Sequence, residues 1–327
     1  MPADRTNRGN RTPRPLIPNL TTVTVLTAIL STGALRAHAQ SANLEELRKQ
    51  IQQYEAISAR ADPPAMAPLA AGRIWSHLGQ LYEDAGQYAQ SETAFVRAIR
   101  LLKTVPGDDA DLAGAIDGLG SLYMMRGDIQ QAERAEQKAL SIRQAKHLAA
   151  DLAQSWFHLA ALALRERQFE KARGYAQRAV EQLLQQPHPD PDEQINARFV
   201  LGLALCRLDR FPEAIAIMQS AMEIVKRTYA PSDFPYGFGS FLLGLAYWKS
   251  GDADTARDLM KTGSAVVENL LGINHPACVA IMAEYERYLR STRQNQEARA
   301  VEDKLKQANG VEGLRKGQGT LDIAALF

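Results

Sequence analysis

The chain has 327 residues, of which 23% are charged and 7% aromatic, and it is rich in alanine, leucine, glutamine and glutamate, which favour helix over sheet. Five of the 38 basic side chains and one of the 37 acidic ones precede Gln40, so the remainder is weakly acidic, with a charge of about −3. This balance gives no electrostatic reason to expect a nucleic-acid partner.

The first 39 residues have the pattern of an export signal. A basic segment, residues 5–14, precedes an apolar stretch within residues 16–35, and Ala37-His-Ala39 offers the small-x-small sequence that signal peptidase reads. We therefore predict cleavage after Ala39, periplasmic or secreted localisation, and no stable membrane span afterwards. The alternative is an uncleaved anchor, although Pro18 and several threonines weaken the apolar run.

Residues 40–71 follow as a predicted N-terminal cap and linker. Asn43 to Ile57 has the spacing of an amphipathic helix, and the segment from Ala61 to Leu69 follows it as a proline-containing linker. We expect this helix to cover the first unit of the repeat array that comes next.

From Trp75 onward the sequence repeats at a regular interval. The first copy combines large and small residues at helical spacing, namely Trp75, Leu78, Gly79, Tyr82, Gly86, Tyr88, Phe95 and Ala98. Every copy has a small residue in its second half, and these are Ser91, Ala132, Ala172, Ala214, Ala256 and Ala298. The intervals of 41, 40, 42, 42 and 42 residues indicate a stack of similar structural units.

The spacing within one copy predicts a helical hairpin. The residues from Trp75 to Tyr82 follow i, i+3, i+4 and i+7, so they share one helix face. Gly79 and Ser91 let two antiparallel helices approach closely, and Gly86 supplies the positive φ of the turn between them. One hairpin cannot bury its own apolar face, so each needs its neighbours.

Trp75-x-x-Leu78-Gly79-x-x-Tyr82, followed by Gly86-x-Tyr88, resembles the tetratricopeptide repeat. The interval exceeds the about 34 residues usual for that family and is similar to the longer repeats of kinesin light chains, as is Gly272-Ile-Asn-His275-Pro276. The resemblance covers residues 72–308. It implies an all-α superhelical solenoid of about six helix-turn-helix repeats that binds a protein or peptide partner.

Motifs of catalysis are missing from the sequence. It has no His-Glu-x-x-His, Gly-x-Ser-x-Gly, phosphate-binding Gly-Lys-Ser/Thr or Cys-x-x-Cys. The histidines are scattered over different repeats without metal-ligand spacing on one helix, and Cys206 and Cys278 lie nearly two repeats apart, too far for a disulfide. We predict no enzymatic activity, no cofactor and no metal.

The residues that follow the core positions of each first helix rotate by about 100° toward the groove of the solenoid. This register predicts a groove that is polar at both ends and apolar across copies three to five. Its candidate peptide-binding residues are Met124, Phe157, Leu164, Phe199, Leu203, Phe241, Leu245 and Trp248. The alternative is that these side chains only pack adjacent first helices together.

Co-chaperones of this family that capture acidic C-termini carry lysine, asparagine and arginine on the groove face, where this chain has Ser76, Gln80, Gly118, Gln154 and His158. We therefore expect no chaperone-tail binder, but an exported interaction scaffold that binds a peptide or amphipathic helix. The alternative is a structural, self-associating envelope protein. Residues 309–327 form a tail with an apolar end that would lie in its own groove or in that of a neighbour.

Overall fold

In the computed structural model of the chain, the structure describes residues 44–59, 66–107, 109–146 and 148–308. The predicted signal segment and the predicted tail, residues 1–39 and 309–327, lie outside the described residues. The described part contains thirteen α-helices and no strand. They are α1 Leu44–Ser58, α2 Pro68–Asp84, α3 Tyr88–Leu102, α4 Asp109–Met125, α5 Ile129–Ala145, α6 Ala149–Arg165, α7 Phe169–Leu184, α8 Pro191–Arg207, α9 Phe211–Thr228, α10 Phe234–Ser250, α11 Ala253–Leu271, α12 Pro276–Ser291 and α13 Asn295–Gln307.

The helices from α2 to α13 form six consecutive hairpins, each a first helix packed on the second helix that follows it. First helices also contact the first helices of neighbouring hairpins from α2 to α10, and α1 packs against α2. This arrangement confirms the predicted all-α solenoid of about six helix-turn-helix repeats. None of the helices that the structure describes has both the length and the apolar character that crossing a membrane requires.

The turn inside every hairpin uses one residue with positive φ. In repeats one, two and five this residue is a glycine, with φ of 71° at Gly86, 78° at Gly127 and 99° at Gly251. In the other three repeats Arg167, Asp209 and Arg293 adopt φ of 61°, 58° and 63°. This conformation costs a non-glycine residue about 1 kcal/mol, so the turn is imposed by packing of the two helices as well as by sequence.

The small residue of the second helix permits close helix packing, as the sequence predicts. In the first repeat the Ser91 hydroxyl donates a hydrogen bond to the Gly79 carbonyl at 2.8 Å. A Cβ at Gly79 would lie 2.9 Å from the Phe95 ring, which leaves no room for a side chain there. The small residue is fully buried in all six repeats, at Ser91, Ala132, Ala172, Ala214, Ala256 and Ala298.

The apolar core is continuous at one end of the stack and divided at the other. A single cluster of buried apolar side chains runs from Met125 to Val301. Toward the N-terminal end, three smaller clusters hold further buried apolar residues of α1 and of repeats one to three. Buried charged side chains of α4, α5 and α6 lie in this region, and they are the starting point for the candidate site.

Candidate functional site

The structure places most of the predicted peptide-binding residues in the core. Phe157 and Trp248 are half-buried, whereas six others are 6% exposed or less, namely Met124, Leu164, Phe199, Leu203, Phe241 and Leu245. A peptide lying on the surface of this structure would not contact those six. Their burial agrees with the alternative, in which these side chains pack adjacent first helices together. A binding role for the eight residues stays a prediction.

Packing between neighbouring first helices explains this burial. Every residue of α8 from Phe199 to Leu205 is buried, so this helix is covered on all sides rather than on one face. The ring of Phe199 would lie 2.7 Å from a Cβ at Gly239, which belongs to α10 of the next repeat. The residues beside the core positions in repeats three to five therefore join adjacent repeats.

An open cavity lies instead on the first helices of repeats one to four. We call it the first-helix pocket; it has a volume of about 580 Å³ and is lined mainly by α2, α4, α6 and the start of α8. The five residues expected on the groove face in place of the chaperone-tail clamp, Ser76, Gln80, Gly118, Gln154 and His158, all line it. The residues that the predicted register places on the groove face in repeats one to three therefore lie around one cavity.

The first-helix pocket is strongly acidic. One arginine, Arg143, and one histidine line it together with seven carboxylates, which are Glu83, Asp84, Asp117, Asp151, Asp190, Asp192 and Glu193. Asp190 caps α8 by accepting hydrogen bonds from the backbone N–H groups of Asp192 and Glu193, at 2.8 and 3.1 Å. The positive N-terminal end of the helix stabilises these acidic residues.

Two pocket carboxylates have pKa values above the ordinary range. Burial raises the pKa of Glu83 to about 7, although the Ser121 hydroxyl, which donates to it at 2.9 Å, opposes the shift. Burial and the charges of Asp190 and Asp151 raise the pKa of Glu193. Both carboxyl groups would gain from a cation placed beside them, since a positive charge favours their ionised form.

A buried network of charged side chains forms the floor of the pocket. Arg143 of α5 donates hydrogen bonds to Asp117 Oδ1, at 2.9 Å, and to the hydroxyl of Ser155. His158 Nδ1 lies 3.1 Å from Glu136 Oε1 and 3.4 Å from Asp117 Oδ1. The four charged side chains are at most 7% exposed, so each depends on the others for compensation of its charge.

The network separates the pKa values of its two carboxyl groups. Burial alone would raise the pKa of Asp117, but the charges of His158 and Arg143 hold it below its ordinary range. Burial and the neighbouring Asp117 charge raise the pKa of Glu136 to about 8. Burial opposes the charged form of His158, yet the two carboxylates raise its pKa well above the usual value.

Comparison with known proteins agrees with this architecture. The family model of the tetratricopeptide repeat matches residues 71–145 and 151–231. The solved structure of BtubC (BKLC) from P. vanneervenii is similar at 20% identity and a TM-score of 0.57, covering 72% of this chain and 93% of that one. The apo form of RapI is similar at 13% identity and a TM-score of 0.65, with coverage of 85% and 95%.

A third solved structure contains nearly identical TPR-like repeats of a kinesin light chain from Podosopora anserina, in a single-residue variant. It is similar at 18% identity and a TM-score of 0.50, covering 60% of this chain and 94% of that one. The fold is a tetratricopeptide-repeat solenoid. These identities show the fold alone, and the fold is typical of protein-interaction scaffolds. A comparison with curated proteins gives no significant sequence match.

In this tetratricopeptide-repeat solenoid, one signal in the sequence points to the buried network. Ala132, Glu136, Ala139 and Arg143 are spaced i, i+4, i+7 and i+11, so a glutamate and an arginine share the α5 stripe that carries the small core residue. Charged side chains at such positions are buried only with partners. The sequence alone does not predict a site here, because the partners of these residues come from different helices.

Proposed function

We propose that the protein is an interaction module that binds a positively charged segment of a partner protein in the first-helix pocket. The supporting observation is the excess of seven carboxylates over one arginine and one histidine in a pocket of about 580 Å³. Arg143 is already engaged by Asp117, so it does not neutralise the remaining acids. Complementary charge steers such a partner toward the pocket and rejects acidic ones.

Asp151 and Glu193 are the carboxylates best placed to anchor a lysine or arginine side chain. Both are half-buried in the pocket wall, and their charges act on each other. Among the described residues no ion pair engages either of them. Hydrogen bonds between a partner's cationic group and these carboxylates would be charge-assisted, which makes them stronger than neutral ones.

A peptide-binding measurement tests the proposal. Labelled peptides rich in lysine and arginine, and acidic peptides of the same length, are titrated with the protein and followed by fluorescence anisotropy. We expect basic peptides to bind, with affinity that falls as salt rises. The double variant Asp151→Asn/Glu193→Gln should weaken binding about 10-fold or more, since a charge-assisted hydrogen bond contributes about 1.5–3 kcal/mol.

The matched control is Glu223→Gln/Asp258→Asn, which removes the same charge from exposed positions of α9 and α11, away from the pocket. The proposal fails if no basic peptide binds, or if the pocket variant and the control variant lose affinity equally.

Light scattering on the chain with and without residues 309–327 checks the alternative, self-association through the tail. Loss of an oligomer on truncation would support that alternative.

The proposal includes export to the periplasm or the exterior. It is supported by the sequence pattern of residues 1–39. N-terminal sequencing of the protein recovered from cell fractions tests it. A mature chain beginning at Gln40 outside the cytoplasm is expected, and a chain that keeps its arginine-rich start in the cytoplasmic fraction would refute export.

A further inference from the structure

Three potential metal-ligating side chains meet in the floor of the first-helix pocket. Asp117, Glu136 and His158 come from α4, α5 and α6, and each offers one ligand atom within 4.8 Å of the other two. The distances from His158 Nδ1 to the carboxylate oxygens are 3.1 and 3.4 Å. Tetrahedral zinc with ligands at about 2.0–2.1 Å places its ligand atoms about 3.3 Å apart. The two distances from His158 Nδ1 to the carboxylate oxygens therefore suit such an ion.

A separate observation favours a cation ligand for Glu136. Glu136 is fully buried, and its Oε2 has no hydrogen-bond partner among the described residues. A buried carboxylate oxygen without a partner is costly, since the group has lost its water and gained no hydrogen bond in exchange. The neighbouring cation, Arg143, donates its hydrogen bonds to Asp117 and Ser155 instead.

The local backbone is shaped around this carboxylate. A Cβ at Gly120 of α4 would lie 2.6 Å from Glu136 Oε1, so the glycine is what lets the carboxylate approach α4. Asp117 and His158 also line the first-helix pocket. An ion held by the three side chains would therefore be reached from the pocket and would keep a coordination position open toward it.

We propose that Asp117, Glu136 and His158 bind a first-row divalent metal ion of the zinc type. One imidazole and two carboxylates suit such ions, whereas calcium prefers six to eight oxygen ligands, which this site does not offer. Arg143 orients Asp117 through its hydrogen bond to Oδ1. The ion would join repeats two and three, since Asp117 and Glu136 belong to repeat two and His158 to repeat three.

Cobalt(II) titration tests the site, because tetrahedral Co²⁺ with protein ligands absorbs visible light and reports its own coordination. The full chain is prepared without a histidine tag, stripped with a chelator and titrated with Co²⁺ and then with Zn²⁺. We expect one Co²⁺ per chain with visible absorption, which an equimolar amount of Zn²⁺ abolishes. His158→Ala and Glu136→Gln should bind about 100-fold more weakly or worse, since even residues that only hydrogen-bond to ligands contribute about 10- to 100-fold.

The matched control is His188→Ala, which removes an exposed histidine and should bind as the wild type does. Circular dichroism establishes that each variant folds, and His158→Gln, which keeps a hydrogen-bonding group beside Glu136, replaces the alanine variant if that one unfolds. The proposal is overturned if the wild type forms no one-to-one Co²⁺ species. It is equally overturned if a folded His158 variant keeps the wild-type affinity, which would leave the cluster as an ion-pair network only.

Discussion

Phe199→Ala distinguishes a binding residue from a core residue. Phe199 is 1% exposed, and its ring lies against Gly239 of the next repeat, 2.7 Å from where a Cβ would stand. Truncation would open a cavity between repeats four and five, and such changes typically cost about 3–5 kcal/mol. With a urea m-value of about 3 kcal/mol/M, the midpoint of unfolding should fall by about 1 M or more.

The assay is urea denaturation followed by far-ultraviolet circular dichroism and by tryptophan fluorescence, because two probes reveal whether the repeats unfold together. The control is Phe157→Ala, since Phe157 is half-buried at the first-helix pocket and should cost only about 1 kcal/mol. If Phe199→Ala keeps wild-type stability and instead loses a peptide partner, the packing argument is refuted. The groove prediction from the sequence would then be supported.

Three further predictions have directions fixed by the structure: a pair of glycine substitutions and Arg143→Met, all measured by urea denaturation, and a pH dependence that involves Glu83. Gly263→Ala would place a Cβ 2.5 Å from a backbone carbonyl of α10 and should lower the free energy of unfolding by about 2 kcal/mol. A Cβ at Gly174 would have nothing within 4 Å, so Gly174→Ala should raise the free energy of unfolding by up to about 1 kcal/mol. Arg143→Met should cost about 3–5 kcal/mol, since it leaves Asp117 buried without its arginine. Glu83 has a folded pKa of about 7, so its contribution to stability should fall as pH rises from about 4.5 to 7, because the unfolded chain releases this proton first. Affinity for basic peptides should rise between about pH 6 and 8 and rise less in Glu83→Gln, as anisotropy would show.

The repeat architecture is predictable because it rests on local spacing. The interval from Ser91 to Ala298 and the i, i+3, i+4, i+7 pattern after Trp75 depend only on residues within one hairpin. The groove face of repeats one and two follows from the same helix geometry, and Ser76 and Gln80 do line the pocket. The sequence is therefore sufficient to predict the structure where the residues of a single helix or hairpin determine it.

The groove of repeats three to five could not be predicted in this way. Whether a residue such as Leu203 is exposed depends on how close the neighbouring first helix lies, and that distance is set by pairs such as Phe199 and Gly239 in different repeats. The same reason hides the charged network. Glu136 of α5 and His158 of α6 become partners only when helices of different repeats pack together.

The position of the charged network argues for a role beyond holding the stack. Apolar clusters join repeats two to six, including repeats two and three. More apolar packing in place of the charged network would join repeats two and three at lower cost, because a buried ion pair often contributes less than well-packed apolar residues of similar volume. The chain instead places Glu136 and Arg143 on the core stripe of α5, and Asp117 and His158 reach the wall of an acidic pocket. Departures from the local packing rule are expected where a site has been built. A variant in which apolar residues replace all four side chains should thus be at least as stable as the wild type in urea yet fail to bind cobalt(II), and a variant that unfolds would show the network to be structural.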